Sequence, residues 1–275
     1  APLYAGEEVV FSILVASYNG SEWIAEALKS IQGQTYSDFE CIILDNGSTD
    51  NTKEIVSTFI DSDNRFHYHY LDVANKANAL NYGITIAKNE WLAICDIDDL
   101  WSQDKLEKQR QFILDNPDVD FVGSRFKYFG YGDNLESKTP TLPITHEEIC
   151  EWLDRCENPL ATSATVYRKD VHFRGVGFYN TMYYSVEDYE IWKKGKMRNM
   201  KFANIDHVCM HHRIHPPSPF QTTNRQEISK AIVDVLFTDL TDVRRITYFT
   251  EMLQRFDQSR PKGNWSDGHS VRNNS

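Results

Sequence analysis

Three aspartates follow an apolar run of strand length in the middle of the chain. The run extends from Trp91 to Cys95, and Asp96, Asp98 and Asp99 come directly after it. Like charges held together at the end of a strand repel one another, and a bound divalent cation offsets that cost. The pattern therefore predicts a metal site. The same residues also fit a solvated loop, or the N-cap of the helix predicted over 103–114, and the motif alone leaves these interpretations open.

Strands that alternate with helices are predicted ahead of these aspartates. The apolar runs of strand length are 9–15, 39–44, 66–71 and 91–95. Helical patterns separate them, and this alternation is typical of an α/β protein with a parallel sheet. Ligands bind such sheets beyond the carboxyl ends of the strands. The loops at Ser17, Asp45 and Asp96 each follow a strand end, so we expect them to lie together at one site.

The composition argues against several classes of protein. With 275 residues and 41% hydrophobic content, the chain is expected to bury a sizeable core in one domain or two packed halves. Its net charge of −11 and its lack of a basic stripe argue against a nucleic-acid polymer as partner. No apolar stretch is long enough to predict an integral membrane segment. The five cysteines are odd in number and form no CxxC motif, which predicts reduced thiols and a cytoplasmic location.

Four motifs occur in a fixed order along the chain. They are Ser12 to Asn19, Leu44 to Asp50, Asp96 to Asp99, and Glu187 to Trp192. Over about 9–216 the chain thereby resembles the inverting GT-A glycosyltransferases of the large family 2. The resemblance implies a Rossmann-like α/β fold, in which helices flank a mostly parallel sheet, with a smaller mixed acceptor-side half and C-terminal helices. It also implies a nucleoside diphosphate sugar as donor and a carbohydrate or other hydroxyl group as acceptor.

Five segments are expected on this basis. A leader or remnant covers 1–8, the nucleotide-sugar-binding half covers 9–124, and the half that binds the acceptor and carries the catalytic base covers 125–220. C-terminal helices, two of them predicted between Glu227 and Phe256, occupy 221–256. The stretch 257–275 is rich in Ser, Asn, Gly and charge, and is expected to be a disordered tail.

The resemblance assigns the chemistry to carboxylates. Asp188 matches the family's general base, which takes the proton of the acceptor hydroxyl, although an N-cap of the helix that follows is the alternative interpretation. Asp98 is the first metal ligand, and Asp96 and Asp99 are expected to contact ribose, metal-bound water or the sugar. Mn²⁺ or Mg²⁺ suits such an oxygen-rich site, where it stabilises the departing diphosphate.

Further residues match positions that hold the donor in relatives. Tyr18 is expected to stack on the nucleobase, and Asp45 and Asn46 to grip the base and ribose, with Ser17 in the same group of loops. Asn46 stands where the common motif has a second aspartate, so it would accept an imide N–H without charge assistance, and it also fits plain turn chemistry with Gly47. Asn75 and Lys76 are expected to reach the phosphate or ribose of the donor. The alternative for either residue is a solvated helix face.

Several histidines precede Pro216. Zinc-finger spacing is absent, and relatives carry a similar segment, so 210–218 is interpreted as a loop that closes over the diphosphate. His212 or His215 would complete the metal shell and Arg213 would pair with phosphate. A merely structural strand end is the alternative.

The sequence therefore predicts a metal-dependent inverting glycosyltransferase that uses a nucleoside diphosphate sugar, with UDP-sugar favoured, and an acceptor hydroxyl of a glycan or polysaccharide precursor. The alternative is a nucleotide-binding module of the same fold without turnover. An aspartyl phosphatase would carry its Asp-x-Asp motif on the first strand, and a nicotinamide oxidoreductase would carry G-x-G-x-x-G after it, and this chain has neither.

Overall fold

The computed structural model describes residues 8–72, 74–182, 186–216 and 223–238, together with Thr247, Thr250 and Glu251. These residues form an α/β structure. The strands are β1 (Phe11–Ser17), β2 (Phe39–Asp45), β3 (Phe66–Tyr70), β4 (Trp91–Ile94), β5 (Leu100–Trp101), β6 (Phe121–Gly130), β7 (Val166–Arg168) and β8 (Phe202–Ile214). The helices are α1 (Ile24–Gln32), α2 (Thr52–Ser62), α3 (Lys76–Ile86), α4 (Lys105–Asp115), α5 (Leu135–Lys138), α6 (His146–Asp154), α7 (Glu187–Met197) and α8 (Thr223–Phe237).

One sheet of eight strands runs through the described residues, in the order β3-β2-β1-β4-β7-β6-β8-β5. Parallel pairing joins β3, β2, β1 and β4, and also β6 with β8. The strand β7 is antiparallel to both β4 and β6, and β5 is antiparallel to β8. The first four strands thus form a parallel half, and β7 connects it to a mixed half.

Helices cover both faces of the sheet, which explains why β1, β2 and β4 are buried along almost their whole length. Along β1, Phe11, Ile13 and Val15 belong to one buried cluster, which also contains residues of α1, α2 and α4. Leu14 points to the opposite face and belongs to a second cluster, which contains residues of α3, α6 and α7. The period of two in the strand therefore supplies both cores from one run of sequence.

The helix α3 lies very close to the sheet. A Cβ atom at Gly83 would come within 2.7 Å of the Cδ1 atom of Leu44 and 3.1 Å of the Cδ2 atom of Leu14. At its start, the side chain of Asn75 accepts a hydrogen bond from the Asn78 backbone N–H at 3.0 Å. The glycine that weakens the helical pattern in the sequence thus permits close packing, and the asparagine caps the helix.

Several expected boundaries differ from the structure. Ser21 is the residue type that the sequence offers as N-cap of the first helix, but Trp23 occupies that position and the Ser21 N–H donates to Asp50. The expected boundary between 124 and 125 falls inside β6, so one sheet joins the two halves. The helix α8 begins at Thr223, before the expected start.

The expected leader at 1–8, apart from residue 8, and the expected tail at 257–275 lie outside the described residues. Most of the second predicted C-terminal helix lies outside them too, although Thr247, Thr250 and Glu251 are helical. Within the described part of the chain, we find no helix with the length and apolarity that crossing a membrane requires.

Candidate active site

Three predicted loops meet at the carboxyl edge of the parallel half. In the register of β1 and β2, Ser17 lies opposite Asp45. The Asn46 N–H donates to the Ser17 carbonyl at 2.8 Å, which ties the two loops together. The strand β4 lies on the other side of β1, so Asp96 follows at the same edge. The parallel register therefore brings together the residues that the sequence separates by about thirty and fifty positions.

Asp45 is held in place by two donors. Its Oδ2 accepts the Tyr68 hydroxyl at 2.6 Å, and its Oδ1 accepts the Ser48 N–H at 2.8 Å. Asp45 and Asn46 are buried, and so is the Ser17 hydroxyl. Tyr18 differs, since 54% of its surface is exposed. The edge thus presents an exposed aromatic ring near a fixed carboxylate, while the Ser17 hydroxyl is buried and makes no hydrogen bond within the described part of the chain.

Lys76 connects the parallel half to the mixed half. Its ammonium group lies 2.7 Å from Asp96 and 3.3 Å from Glu187, which begins α7. Partial burial lowers the pKa of Lys76, but the two carboxylates outweigh this effect and the net change is upward. The neighbouring Asn75 caps α3 and donates to the Thr181 carbonyl at 3.3 Å. Both side chains thus contact other elements, although 39% of the Lys76 side chain remains exposed.

Asp188 shares a cavity with the acidic loop after β4. The cavity has a volume of about 450 Å³, and its wall includes Asp96, Asp99, Asp188 and His212. Burial raises the pKa of Asp188 to about 6, the Glu187 carboxylate adds to the rise, and Thr162 and Lys76 oppose it. A carboxylate with this pKa is more basic than usual and is still ionised at neutral pH.

Two donors fix the Asp188 carboxylate. The Thr162 hydroxyl donates to its Oδ2, and the Tyr189 N–H donates to its Oδ1 at 2.7 Å. The N-cap of α7 is Val186, so Asp188 lies inside the first helical turn and the N-cap alternative is wrong. The remaining lone pairs of the carboxylate are directed by these contacts and are suited to accept a proton.

The predicted metal ligands separate into pairs. Asp98 Oδ2 lies 2.8 Å from His215 Nε2, and Asp99 Oδ1 lies 2.9 Å from His212 Nδ1. Burial raises the pKa of Asp99, and His212 only partly offsets this, while the carboxylates raise the pKa of His212 against the effect of its burial. Across the described ranges, no three His, Cys, Asp or Glu side chains form a ready-made metal site. The five predicted ligands are therefore not gathered into one shell.

The Asp98 and His215 pair nevertheless fits a divalent cation. Mg²⁺ and Mn²⁺ at nucleotide sites are commonly held by one or two side chains, and the phosphates and water supply the other oxygens. Both side chains are about one-third exposed, at 31% and 32%, so incoming phosphate can reach them. Asp99 is almost completely buried, and Asp96 is occupied by Lys76. The chemistry of the donor set thus favours Asp98 and His215 over the other three predicted ligands.

Arg213 is fixed by its surroundings. Its guanidinium carbon lies 4.4 Å from the ring centres of both Trp23 and Phe129, and its Nη2 donates to Glu26. Its Nε donates to the Asp98 carbonyl at 3.0 Å. These contacts tie Arg213 to the Asp98 backbone and to α1, which differs from the free phosphate-binding side chain that the sequence predicts.

The predicted closing loop is also partly regular structure. Its first five residues, from 210 to 214, belong to β8, whereas 215 and 216 follow the strand and 217 and 218 lie outside the described residues. The alternative of a structural strand end therefore holds for His211 and His212.

Sequence reasoning missed several residues that support the site. Thr162 holds Asp188, and Ser163 Oγ accepts the Asp96 N–H at 2.9 Å, both from a short 3-10 turn. Tyr68 fixes Asp45. No motif marks these three positions. Glu187 pairs with Lys76 and raises the pKa of Asp188. Its place next to Asp188 in the fourth motif was the one sequence feature that could have indicated this role.

Comparison with known proteins agrees with this geometry. The family model described as Glycosyl transferase family 2 matches residues 12–175, more than half of the chain. The O-antigen biosynthesis glycosyltransferase WbnJ of Escherichia coli is 28% identical over 215 residues, covering 76% of this chain and 81% of its own length. The putative teichuronic acid biosynthesis glycosyltransferase TuaG of Bacillus subtilis is 31% identical over 157 residues, or 56% of this chain and 60% of the relative.

Solved structures share the fold. The crystal structure of S. aureus TarS 1–349 in complex with UDP-GlcNAc has a TM-score of 0.67 and 19% identity, and the match covers 91% of this chain and 73% of that one. The mannosyltransferase PcManGT from Pyrobaculum calidifontis, in complex with GDP-Man and Mn²⁺, has a TM-score of 0.60 and 17% identity over 91% of this chain and 66% of that one. From the family match and the shared architecture, this chain belongs to glycosyl transferase family 2 and is a glycosyltransferase with the GT-A fold.

Proposed function

We propose that this glycosyltransferase moves a sugar from a nucleoside diphosphate donor to an acceptor hydroxyl with inversion of configuration. The observation that carries the proposal is the shared cavity of Asp188 and the acidic loop after β4. One carboxylate is positioned to act on the acceptor, and the acidic loop adjoins the edge where the nucleotide residues lie. Direct displacement inverts the anomeric centre, because the new bond forms on the face opposite the bond that breaks.

In the proposed reaction, Asp188 takes the proton of the acceptor hydroxyl as the oxygen attacks the anomeric carbon. The bond between that carbon and the diphosphate oxygen breaks, and the nucleoside diphosphate leaves with the electron pair. Thr162 and the Tyr189 N–H keep the carboxylate oriented during the transfer. A positioned base of this kind contributes about 10²–10⁴-fold to the rate.

Asp98 and His215 would hold a divalent Mn²⁺ or Mg²⁺ ion, which supplies positive charge to the leaving diphosphate. The nearby Arg213 keeps the Asp98 backbone in position through its Nε donor. Lys76 limits the repulsion between Asp96 and Glu187, so that the two carboxylates can lie close together beside Asp188.

A UDP-sugar is the favoured donor. TarS binds UDP-GlcNAc and UDP in solved structures that share this fold, whereas PcManGT binds GDP-Man. Tyr18 offers an exposed ring for stacking on the base, and Asp45 offers a fixed carboxylate beside it. Asn46 supplies both an acceptor and a donor, which suits a uracil edge but without a charge.

The acceptor is proposed to belong to a glycan or polysaccharide precursor, since relatives are named for O-antigen and teichuronic acid biosynthesis. We also propose a reducing, cytoplasmic setting. It is supported by the thiols of all five cysteines, which lie in the described ranges and are free.

The test is a panel of UDP-, GDP- and dTDP-sugars with Mn²⁺, in which thermal stabilisation and slow donor hydrolysis are measured together. We expect one nucleotide class to raise the melting temperature and to be hydrolysed, with a product of inverted configuration. Nucleotide binding without turnover of any donor would instead support the non-catalytic binding module. A product of retained configuration would refute direct displacement.

A further inference from the structure

The cavity at Asp188 has walls of two kinds. The acidic residues and their partners form one part of the cavity wall. The larger part of the wall is apolar or aromatic. This apolar wall consists of Phe126, Tyr128, Pro140, Leu142, Trp152, Leu160, Ala161 and Met210. An acceptor whose hydroxyl reaches Asp188 must rest its remaining atoms against this wall, because both line the same cavity of about 450 Å³.

Among the described residues, no lysine or arginine lines the cavity wall, whose acidic groups are Asp96, Asp99 and Asp188. Lys76 lies behind the wall and pairs with Asp96, and His212 pairs with Asp99. Lys76 also lowers the pKa of Asp188, but the carboxylates around it outnumber the cations. A phosphate or carboxylate on the acceptor would therefore meet a wall with an excess of negative charge.

Three basic residues near the wall are paired with acidic side chains. Arg125 pairs with Asp206, and Lys127 lies 2.8 Å from Glu136. Arg155 packs over the Trp152 ring at 5.8 Å, and Glu157 binds it at 3.2 Å. Two stretches that flank site residues in the sequence contain no Lys or Arg, and these are 183–185 and 217–222.

Aromatic rings in the wall offer a recognition surface for sugars. Tyr128 packs against Phe126 at 5.3 Å and against His212 at 5.6 Å, which fixes its ring beside the reacting groups. Trp152 is partly exposed in the same cavity. The C–H face of a sugar ring is apolar and packs on such rings, while its hydroxyl edge remains free to reach Asp188.

We propose that the acceptor is an uncharged saccharide that presents a C–H face to Tyr128 and Trp152, and that acceptors carrying phosphate or carboxylate near the reacting hydroxyl are rejected. This inference rests on the proposed sugar transfer. Two like charges about 10 Å apart, at an effective dielectric constant near 20, interact strongly enough to change affinity about tenfold. We expect discrimination of at least this size.

The experiment compares matched acceptors with the whole protein, Mn²⁺ and the donor that the panel identifies. Methyl hexosides are paired with their 6-phosphates and with the corresponding methyl hexuronides. Transfer is measured by mass spectrometry, and binding of the same saccharides is measured by saturation-transfer NMR. The uncharged member of each pair is expected to have a kcat/KM about tenfold higher or more, and to bind more tightly.

Equal or better use of the anionic members would overturn the inference, and so would a complete failure of uncharged saccharides to bind. Absence of donor hydrolysis would contradict the proposed function instead, and the binding comparison would still report the charge preference. Asn158 is an exposed residue of the cavity wall, so N158K adds a cation there and N158Q serves as its matched control. N158K is expected to raise the relative use of 6-phosphates about tenfold, and an unchanged ratio would contradict the assignment of this cavity to the acceptor.

Discussion

Removing the Thr162 hydroxyl tests whether Asp188 is the catalytic base, because a purely structural role of Asp188 would not produce the change in pH dependence that we expect. The hydroxyl donates to the carboxylate and lowers its pKa, which burial raises to about 6. A hydrogen bond to a charged group contributes about 1.5–3 kcal/mol, and the neutral acid would keep about 1 kcal/mol of it. Since one pKa unit corresponds to about 1.36 kcal/mol, Thr162→Val should raise the pKa of Asp188 by about one unit.

The assay is the pH dependence of kcat/KM for donor hydrolysis, in which water is the acceptor. Protonated Asp188 cannot accept a proton, so the rate of the native protein should fall below about pH 6. In T162V the fall should begin near pH 7, and the two proteins should converge above pH 8. The control is T165V, because the Thr165 hydroxyl donates to the Ala161 carbonyl at 2.8 Å in the same turn. An acid limb that does not move in T162V, or that moves equally in T165V, would refute the assignment of Asp188 as base.

Three more perturbations address separate parts of the site. Asp188→Asn should reduce turnover about 10²–10⁴-fold and leave calorimetric donor affinity within about twofold, because it removes a proton acceptor and keeps the shape. Asp98→Ala should abolish the metal dependence of nucleotide binding in a titration, whereas Asp104→Ala, which removes a comparable pair with a histidine elsewhere, should not. Tyr68→Phe should lower the free energy of unfolding by about 1.5–3 kcal/mol in urea, since it removes the hydroxyl donor from the buried Asp45 carboxylate.

Each of these has a contrary outcome. A large loss of donor affinity in D188N would show that this carboxylate serves the structure or the metal. Equal effects of D98A and D104A would show that the metal dependence does not arise at Asp98. A neutral Y68F would mean that water replaces the phenol at the buried carboxylate.

The alternation of strands and helices was predictable because it depends on local periodicity, and the shared strand edge follows from the parallel register. Asp96 and Asp99 line the cavity that contains Asp188, whereas Asp98, the first predicted metal ligand, is not among its lining residues. The sequence could not predict how the charges pair. Lys76 reaches Glu187, 111 positions away, and only the packing of α3 against α7 decides this.

The metal residues illustrate the same limit. Asp98 and Asp99 are adjacent in the sequence, yet Asp99 pairs with His212 in β8 and Asp98 pairs with His215, which follows β8. The Asp99 carboxylate is buried, whereas that of Asp98 is accessible. Spacing alone treats the two carboxylates as equivalent. Arg213 likewise looks available for phosphate until Trp23, Phe129 and Glu26 surround it.

The short strand β7 restricts how the molecule can move. Hinge closure between two parts of a protein requires a connecting segment that can change its dihedral angles without breaking the hydrogen bonds of a sheet. Here β7 pairs with β4 on one side and with β6 on the other, so backbone hydrogen bonds join the two halves of the sheet. We therefore expect the two halves of the sheet to move as one body, and any closure over a bound donor to involve the loops at the carboxyl edge of the strands.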